Sequence, residues 1–227
     1  MFDNEGVCKA LEKLADFEKR ANSRVCESEV LKGLSLEDIH WAGKHLAFQD
    51  GCKEFFQKII NNEKLKSNVH VISYCWCGDL IRLAFSSGDP KVLDVLQVHS
   101  NELAYEGSIS TGEIVRMVES PTEKLQMFSN ISKDCSTNGR QLTVYIGGSV
   151  GDLLCLLKAD IGIVMGSSPS LRKLGGHFGI SFVPLFSGVI KKQKELTEGG
   201  SHNWKGLQGI LYTVSSWAEI QAFIMGL

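Results

Sequence analysis

The fold class is decided by residues 142–152, which read Leu-Thr-Val-Tyr-Ile-Gly-Gly-Ser-Val-Gly-Asp. A β-branched and aromatic run, typical of a strand, passes here through a glycine-rich turn into an apolar helical pattern. Similar short apolar runs lie at 69–74, 161–164 and 180–183, and helical patterns separate several of them. Short apolar strands that alternate with helices predict βαβ units and a parallel sheet. We therefore predict an α/β domain that begins near residue 65.

The first 64 residues predict a helical region. Apolar side chains recur there with the spacing of one helix face: Val7, Ala10, Leu11, Leu14, Phe17, Ala21 and Val25. Ser35, three residues before Asp38, predicts the N-cap of a second helix. The pattern divides the chain into a helical region at 1–64 and an α/β region at 65–227.

Composition and charge exclude several classes of protein. The 227 residues carry a formal net charge of −2, which argues against a non-specific nucleic-acid binder that needs surplus Lys and Arg. No apolar run approaches the roughly 20 residues that cross a bilayer, and the N-terminus does not have the pattern of a secretory signal. The seven cysteines contain no C-x-x-C pair, so we expect reduced thiols and a cytoplasmic chain.

Polar groups stand where several predicted elements meet. Ser73 ends the first predicted strand, Lys124 lies in a helix opened by Pro121, and residues 147–152 follow the third strand. In open α/β sheets, ligands gather at the carboxyl ends of the strands. A hydroxyl, an ammonium and a carboxylate at such ends suit a phosphate group held with a divalent cation.

Each of these residues also has a purely structural interpretation. Ser73 could cap the next helix, Lys124 could be a solvated lysine, and residues 147–149 could form only a tight turn. Trp76 could stack on a planar ligand or lie half-buried in the core. The glycine segment is not a Walker A loop, because no Lys-Ser/Thr follows the glycines, and it does not fit G-x-G-x-x-G, because Ser149 stands at the third position.

The order of these motifs resembles that of the haloacid dehalogenase (HAD) superfamily of phosphohydrolases. Motifs II, III and IV are matched by Val71-Ile72-Ser73, by Lys124, and by Tyr145-Ile146-Gly147 with Asp152. Longer strings are similar to the phosphatase half of plant bifunctional thiamine-biosynthesis proteins, in which a thiaminase-II-like aminohydrolase is fused to a HAD phosphatase acting on thiamine monophosphate. These strings are Ser73-Tyr74-Cys75-Trp76-Cys77-Gly78-Asp79-Leu80-Ile81-Arg82, Ser108-Ile109-Ser110-Thr111-Gly112-Glu113-Ile114 and Tyr212-Thr213-Val214-Ser215-Ser216-Trp217-Ala218-Glu219-Ile220.

The resemblance covers essentially the whole chain and implies a HAD-like Rossmannoid parallel sheet with an N-terminal helical cap over residues 1–64. HAD phosphatases use an Asp of a D-x-D motif as nucleophile and the second Asp as general acid–base. The resemblance implies that Ser73 hydrogen-bonds the phosphoryl group, that Lys124 neutralises its charge and that Asp152 binds Mg²⁺. The candidate substrate-binding residues are Trp76, Gly147 and Ser149.

Two departures from the family pattern bear on activity. No two of the ten aspartates stand two apart, so the chain has no D-x-D motif, and we expect the first, central strand of the family's sheet to be missing. The family has Asp where this chain has Gly148, so a metal carboxylate is lost as well. We expect negligible phosphatase activity, because Ser73 and Lys124 can only stabilise charge around an attack made by another group.

Three interpretations remain open at this point. The chain could be an incomplete phosphatase domain of the thiamine monophosphate type, for example from an incomplete gene model that begins inside the cap. It could be a non-catalytic descendant that binds a phosphorylated ligand or a partner chain, which Gly148 favours. A generic doubly wound nucleotide-binding domain fits least, since the glycine-rich fingerprints are absent. The expected ligand is thiamine monophosphate, the expected cofactor Mg²⁺, and the expected partner a fused or associated thiaminase-II-like domain; a longer form could be mitochondrial.

Overall fold

The computed structural model describes residues 1–62, 65, 67–86, 92–135, 142–198 and 209–226. The helices are α1 Asn4–Glu27, α2 Leu36–Lys44, α3 Cys52–Ile60, α4 Gly78–Ser86, α5 Val92–Val95, α6 Pro121–Cys135, α7 Leu153–Lys158, α8 Pro169–His177, α9 Leu185–Glu198 and α10 Trp217–Met225, with a 3₁₀ turn at Val150–Asp152. The strands are β1 Lys32–Ser35, β2 Val69–Ile72, β3 Leu96–His99, β4 Glu102–Glu106, β5 Ile109–Val115, β6 Val144–Gly147, β7 Ile161–Met165, β8 Ser181–Pro184 and β9 Ile210–Val214.

The chain forms two compact units. Unit 1 comprises residues 1–13 and 128–227, and unit 2 comprises residues 14–127. These units are the parts of the chain that pack most tightly within themselves. The boundary predicted between residues 64 and 65 was drawn for a different reason, since it separates a helical cap from an α/β core. The assignment of residues 1–64 as a helical cap stays a prediction.

Unit 1 contains a four-stranded parallel sheet in the order β6-β7-β9-β8. Strand β7 lies inside this sheet, and Ile161, Ile163 and Val164 at its centre are buried, as its continuous apolar sequence requires. The parallel sheet and the strands expected at 142–146, 161–164 and 180–183 are confirmed, with small shifts at their ends.

Unit 2 contains the parallel pair β2-β3 and the antiparallel sheet β1-β5-β4. The first helices form as expected, and the Ser35 hydroxyl accepts the Asp38 amide at 3.0 Å as the N-cap of α2. The expectation of an entirely helical N-terminal region is wrong at β1, because that four-residue strand forms by pairing with β5, far along the chain. Within the described residues, β2 pairs only with β3, and β6 pairs only with β7.

Among the described helices, none has the length and hydropathy of a membrane-spanning segment.

Candidate functional site

Ser73 stands directly after β2, where the polypeptide leaves the parallel pair. Its amide donates to the carbonyl of His99 at 2.9 Å, which extends the pairing of β2 with β3 by one residue. Its hydroxyl oxygen accepts the amide of Cys75 at 3.1 Å. The hydroxyl therefore stabilises the turn over residues 73–75 and does not cap α4, which begins only at Gly78.

Lys124 lies in the first turn of α6 and is almost completely buried. Only 5% of its surface is exposed, and its ammonium lies 4.0 Å from the centre of the Tyr74 ring. The Ser120 hydroxyl accepts the Glu123 amide at 3.2 Å at the start of this helix, and Pro121 follows as expected for a first turn. Because Lys124 is buried, the interpretation of this residue as a solvated lysine is wrong. Lysine is seldom buried unless another group compensates its charge.

Trp76 is fixed by a chain of hydrogen bonds that begins at its indole. The indole N–H donates to the Asn22 side-chain oxygen at 3.1 Å, and the Asn22 amide nitrogen donates to Glu119 at 3.1 Å. Trp76 is half-buried. Because its polar atom is already bonded, the ring offers an aromatic face rather than a hydrogen-bond donor.

Asn101 connects the turn after β2 to the segment that leads into α6. Its side-chain oxygen accepts the amides of Met117 at 2.8 Å and Val118 at 2.9 Å. Its side-chain nitrogen donates to the carbonyls of Tyr74 at 3.3 Å and Val118 at 3.0 Å. Asn101 is fully buried, so these four bonds set the position of Tyr74 relative to the approach to α6.

Burial shifts the pKa values of several ionisable groups in unit 2. Burial raises the pKa of Glu18 above its usual value, and the charge of Lys124 opposes this rise. The buried Oε2 atom of Glu18 has no hydrogen-bond partner among the described residues. His70 Nδ1 lies 3.1 Å from His99 Nε2, and burial lowers the pKa of both imidazoles, with the His99 charge adding to the effect on His70.

In unit 1, the residues predicted from motif IV form a capped turn after β6. The Asp152 Oδ2 atom accepts the amides of Gly148 at 3.1 Å and Ser149 at 2.9 Å, and also the Ser149 hydroxyl at 2.7 Å. The Oδ1 atom accepts the Tyr145 hydroxyl at 3.2 Å. Gly147 must be small here, because a Cβ at that position would lie 2.7 Å from the Asp152 Cβ. The tight-turn interpretation is thus sufficient to explain this segment.

The residues of this turn do not fit a Mg²⁺ site on their own. Mg²⁺ prefers near-octahedral oxygen ligands, commonly one or two carboxylates with water and substrate phosphates. Among the described residues, no cluster of three or more His, Cys, Asp or Glu side chains could hold a metal ion. Asp152 already accepts four hydrogen bonds, and a Cβ at Gly148 would lie 2.8 Å from the Met165 carbonyl oxygen. An Asp at position 148 would therefore require the backbone to shift.

The predicted site residues fall into two groups. Ser73, Trp76 and Lys124 belong to unit 2, whereas Gly147, Ser149 and Asp152 belong to unit 1. The sequence analysis missed Asn22 and Asn101. A signal existed for Asn101, because it closely follows a strand as Ser73 does; Asn22 has no comparable signal among the polar residues of α1.

No family model matches the chain. Two solved structures of phosphoserine phosphatase share the fold, with TM-scores of 0.53 and 0.54 and identities of 22% and 23%. Each of these covers 75% of this chain, and the matches cover 76% and 77% of the phosphatase chains. The chain therefore has the same fold as these phosphoserine phosphatase structures, as the expected α/β architecture with a parallel sheet requires.

At the level of sequence, the chain is 61% identical over 229 residues to the mitochondrial bifunctional TH2 protein of Arabidopsis thaliana. The match takes in 99% of this chain but only 37% of the TH2 protein, so the chain spans little more than a third of that relative. A CTO1 family protein of Schizosaccharomyces pombe is 24% identical over 218 residues, which is 90% of this chain and 74% of that protein. The expected resemblance to one part of a bifunctional plant protein is confirmed.

Proposed function

We propose that this chain binds a phosphate monoester through Lys124 and Ser73 and that, as the 227-residue polypeptide, it does not hydrolyse the ester. The observation that carries the proposal is the burial of Lys124, of which 5% is exposed, with its ammonium 4.0 Å from the centre of the ring of Tyr74, the residue after Ser73. An ammonium beside the turn that carries Ser73 attracts a phosphate oxygen, and removal from water strengthens that attraction.

The groups of unit 2 suit a phosphate. An ammonium and a phosphate oxygen form a charge-assisted hydrogen bond, which is roughly twice as strong as a neutral one. The Ser73 oxygen accepts from Cys75, so its own O–H is oriented by that turn and is able to donate to a phosphate oxygen. The half-buried Trp76 ring supplies an apolar face for a planar part of the same ligand.

We propose thiamine monophosphate as the ligand. The similarity to the bifunctional TH2 protein supports this choice, together with the strings that resemble the phosphatase half of plant thiamine-biosynthesis proteins. Thiamine monophosphate consists of a phosphate and two planar rings. Its phosphate suits the Lys124 ammonium and the Ser73 hydroxyl, and its rings suit the Trp76 indole. We propose a fused or associated thiaminase-II-like domain as the partner. We also propose that this chain is cytoplasmic and that a longer form is mitochondrial.

The absence of turnover follows from the chain's aspartates. Phosphate monoester hydrolysis is among the slowest uncatalysed reactions, and enzymes accelerate it by up to about 10²¹-fold. The HAD route requires the D-x-D carboxylates, and no two aspartates of this chain have that spacing. A buried lysine and a serine bind and orient the phosphate but do not supply the attacking group.

Mg²⁺ in HAD phosphatases neutralises phosphate charge beside the nucleophile. In this chain Asp152 is the carboxylate that matches the family's metal residues, and it is engaged by four hydrogen bonds. We therefore assign phosphate binding to Lys124 and Ser73 and expect it to be independent of Mg²⁺.

A thermal-shift titration with thiamine monophosphate, combined with a phosphate-release assay on the same samples, tests the proposal. We expect a saturable rise in the melting temperature, with phosphate release at the rate of buffer alone. The Ser73→Ala variant should bind more weakly and Ser187→Ala, which changes an exposed serine in unit 1, should bind like the wild type. Turnover well above buffer that disappears in Ser73→Ala would refute the proposed lack of activity.

A further inference from the structure

Asn22 of α1 joins the turn after β2 to the segment that leads into α6. Its side-chain oxygen accepts the Trp76 indole N–H at 3.1 Å, and its side-chain nitrogen donates to the Glu119 carboxylate at 3.1 Å. All three residues belong to unit 2. Asn22 is therefore the side chain through which α1 acts on the orientation of the indole.

The orientation of the Asn22 amide follows from the chemistry of its two partners. An ionised carboxylate only accepts hydrogen bonds, so the amide NH₂ must point to Glu119. An indole N–H only donates, so the amide oxygen must point to Trp76. The reversed amide would place donor against donor and acceptor against acceptor. One arrangement of the Asn22 side chain thus satisfies both neighbours.

Glu119 is itself held in place by further contacts. It is buried, and the Arg116 Nε atom lies 3.4 Å from the carboxylate oxygen that accepts from Asn22. The Glu119 backbone amide donates to the Glu123 carboxylate at 2.8 Å, and that carboxylate pairs with Lys19 of α1 at 2.6 Å. A buried network whose members are satisfied is rigid. The Trp76 indole is therefore bonded to a fixed support.

We propose that Asn22 is a positioning residue that determines which phosphates the site prefers: by holding the Trp76 indole in one orientation, it favours a monoester that carries a planar ring over inorganic phosphate. This inference rests on the proposed function, because it takes the Trp76 ring as the face that meets the ligand. Asn22 itself does not touch the ligand. A ring that is already oriented stacks without the entropy loss that ordering a mobile side chain would add.

The ring and the phosphate of the ligand depend on different hydrogen bonds. The Ser73 hydroxyl, proposed to donate to the phosphate, accepts the amide of Cys75 at 3.1 Å, and this bond does not involve Asn22. Loss of Asn22 should therefore weaken the contact with the ring and leave the contact with the phosphate. A selective loss of this kind distinguishes positioning of the indole from a general effect on structure.

Calorimetric titrations of the full chain with thiamine monophosphate and with inorganic phosphate test the proposal. Asn22→Leu keeps the approximate size of the side chain and removes both hydrogen bonds. We expect its affinity for thiamine monophosphate to fall about fivefold, the factor of a typical aromatic contact, and its affinity for inorganic phosphate to stay unchanged. Asn61→Leu, which changes an exposed asparagine of the same unit, is the matched control and should bind both ligands like the wild type.

Variants of Trp76 complete a double-mutant cycle. Trp76→Phe keeps an aromatic ring but has no N–H for Asn22, so it should show a similar selective loss and supplies the same test if Asn22→Leu does not fold. In the Trp76→Leu background, which has no ring to position, the further change Asn22→Leu should leave the affinity for thiamine monophosphate unaltered. The cycle needs only this ligand, so it decides the matter even where binding of inorganic phosphate is too weak to measure.

A purely structural role of Asn22 would weaken both ligands equally. That result, an unchanged affinity for thiamine monophosphate in Asn22→Leu, or a further fall in the Trp76→Leu background would overturn the positioning role and leave the phosphate site intact. Absence of thiamine monophosphate binding to the folded wild type would instead overturn the proposed function and this inference with it.

Discussion

The Lys124 ammonium lies 4.0 Å from the centre of the Tyr74 ring, and Tyr74 directly follows Ser73 in the turn after β2. A cation over an aromatic face gains roughly 0.5–2 kcal/mol, more when it is removed from water. The contact therefore holds the ammonium of α6 beside the turn that carries Ser73. Tyr74 acts on the proposed ligand by positioning Lys124.

Replacing Tyr74 tests this positioning role. Tyr74→Leu removes the aromatic face, and we expect thiamine monophosphate affinity to fall about three- to tenfold, the loss equivalent to roughly 1 kcal/mol of cation–π contact. Tyr74→Phe keeps the face and should bind nearly as well as the wild type. The two variants are compared by thermal-shift titration. Equal weakening in both would show that the hydroxyl, rather than the ring face, matters.

Asn101 should be essential for the stability of unit 2. Asn101→Ala leaves the amides of Met117 and Val118 and two carbonyls without their partners, and we expect a loss of about 3 kcal/mol in the free energy of unfolding. Urea unfolding measures it, and hydrogen exchange at Met117 and Val118 should accelerate. The neighbouring turn variant Ser100→Ala should cost less, because its hydroxyl has no hydrogen-bond partner among the described residues. Similar losses for both would contradict the account of Asn101.

Asp152 should stabilise the turn after β6 without a metal ion. Asp152→Ala removes four accepted hydrogen bonds, and we expect a loss of about 2 kcal/mol, typical of a lost cap with additional bonds. Glu12→Ala, at an exposed position of the same unit, should change stability much less. Melting temperatures are measured with Mg²⁺ and with EDTA. A rise of several degrees with Mg²⁺ in the wild type, lost in Asp152→Ala, would show that Asp152 binds the metal.

The histidine pair on β2 and β3 predicts a loss of stability in mild acid. Both imidazoles have a lowered pKa in the folded chain, so folding favours their neutral forms. The unfolded imidazoles take up protons near their usual pKa of 6.5, hence the stabilisation is present above that pH and is lost as the pH falls below it. Urea unfolding at pH 7.5, 6.0 and 5.0 should show this decline, and His70→Gln should reduce its slope. An unchanged slope in that variant would assign the decline to other groups.

Much of the fold was predictable because its signals are local. Strand β7 is a continuous apolar run. The Ser35 cap of α2 depends on residues only three apart in the sequence. Strand β1 was not predictable, because four residues carry no measurable periodicity and the strand exists through its pairing with β5. The same limit applies to β9, whose pairing with β7 and β8 depends on partners distant in the sequence.

The candidate site was predictable in part for the same reason. Ser73 and Lys124 follow from motif order, but the burial of Lys124 is a property of tertiary packing that the sequence does not display. Asn22 is one polar residue among several on a long amphipathic helix, and its importance depends on what α1 packs against. Asp152 matched a metal motif, whereas its hydrogen bonds place it in the capped turn.

Calorimetric titration of thiamine monophosphate into the wild type and Lys124→Met tests the central claim most directly. Lys133→Met, at an exposed position of the same helix, serves as the control. The account predicts saturable binding to the wild type and to the control, and at least a tenfold weaker affinity in Lys124→Met, since a hydrogen bond to a charged group contributes about 1.5–3 kcal/mol. Equal affinity in all three proteins, or no binding to the folded wild type, would contradict it.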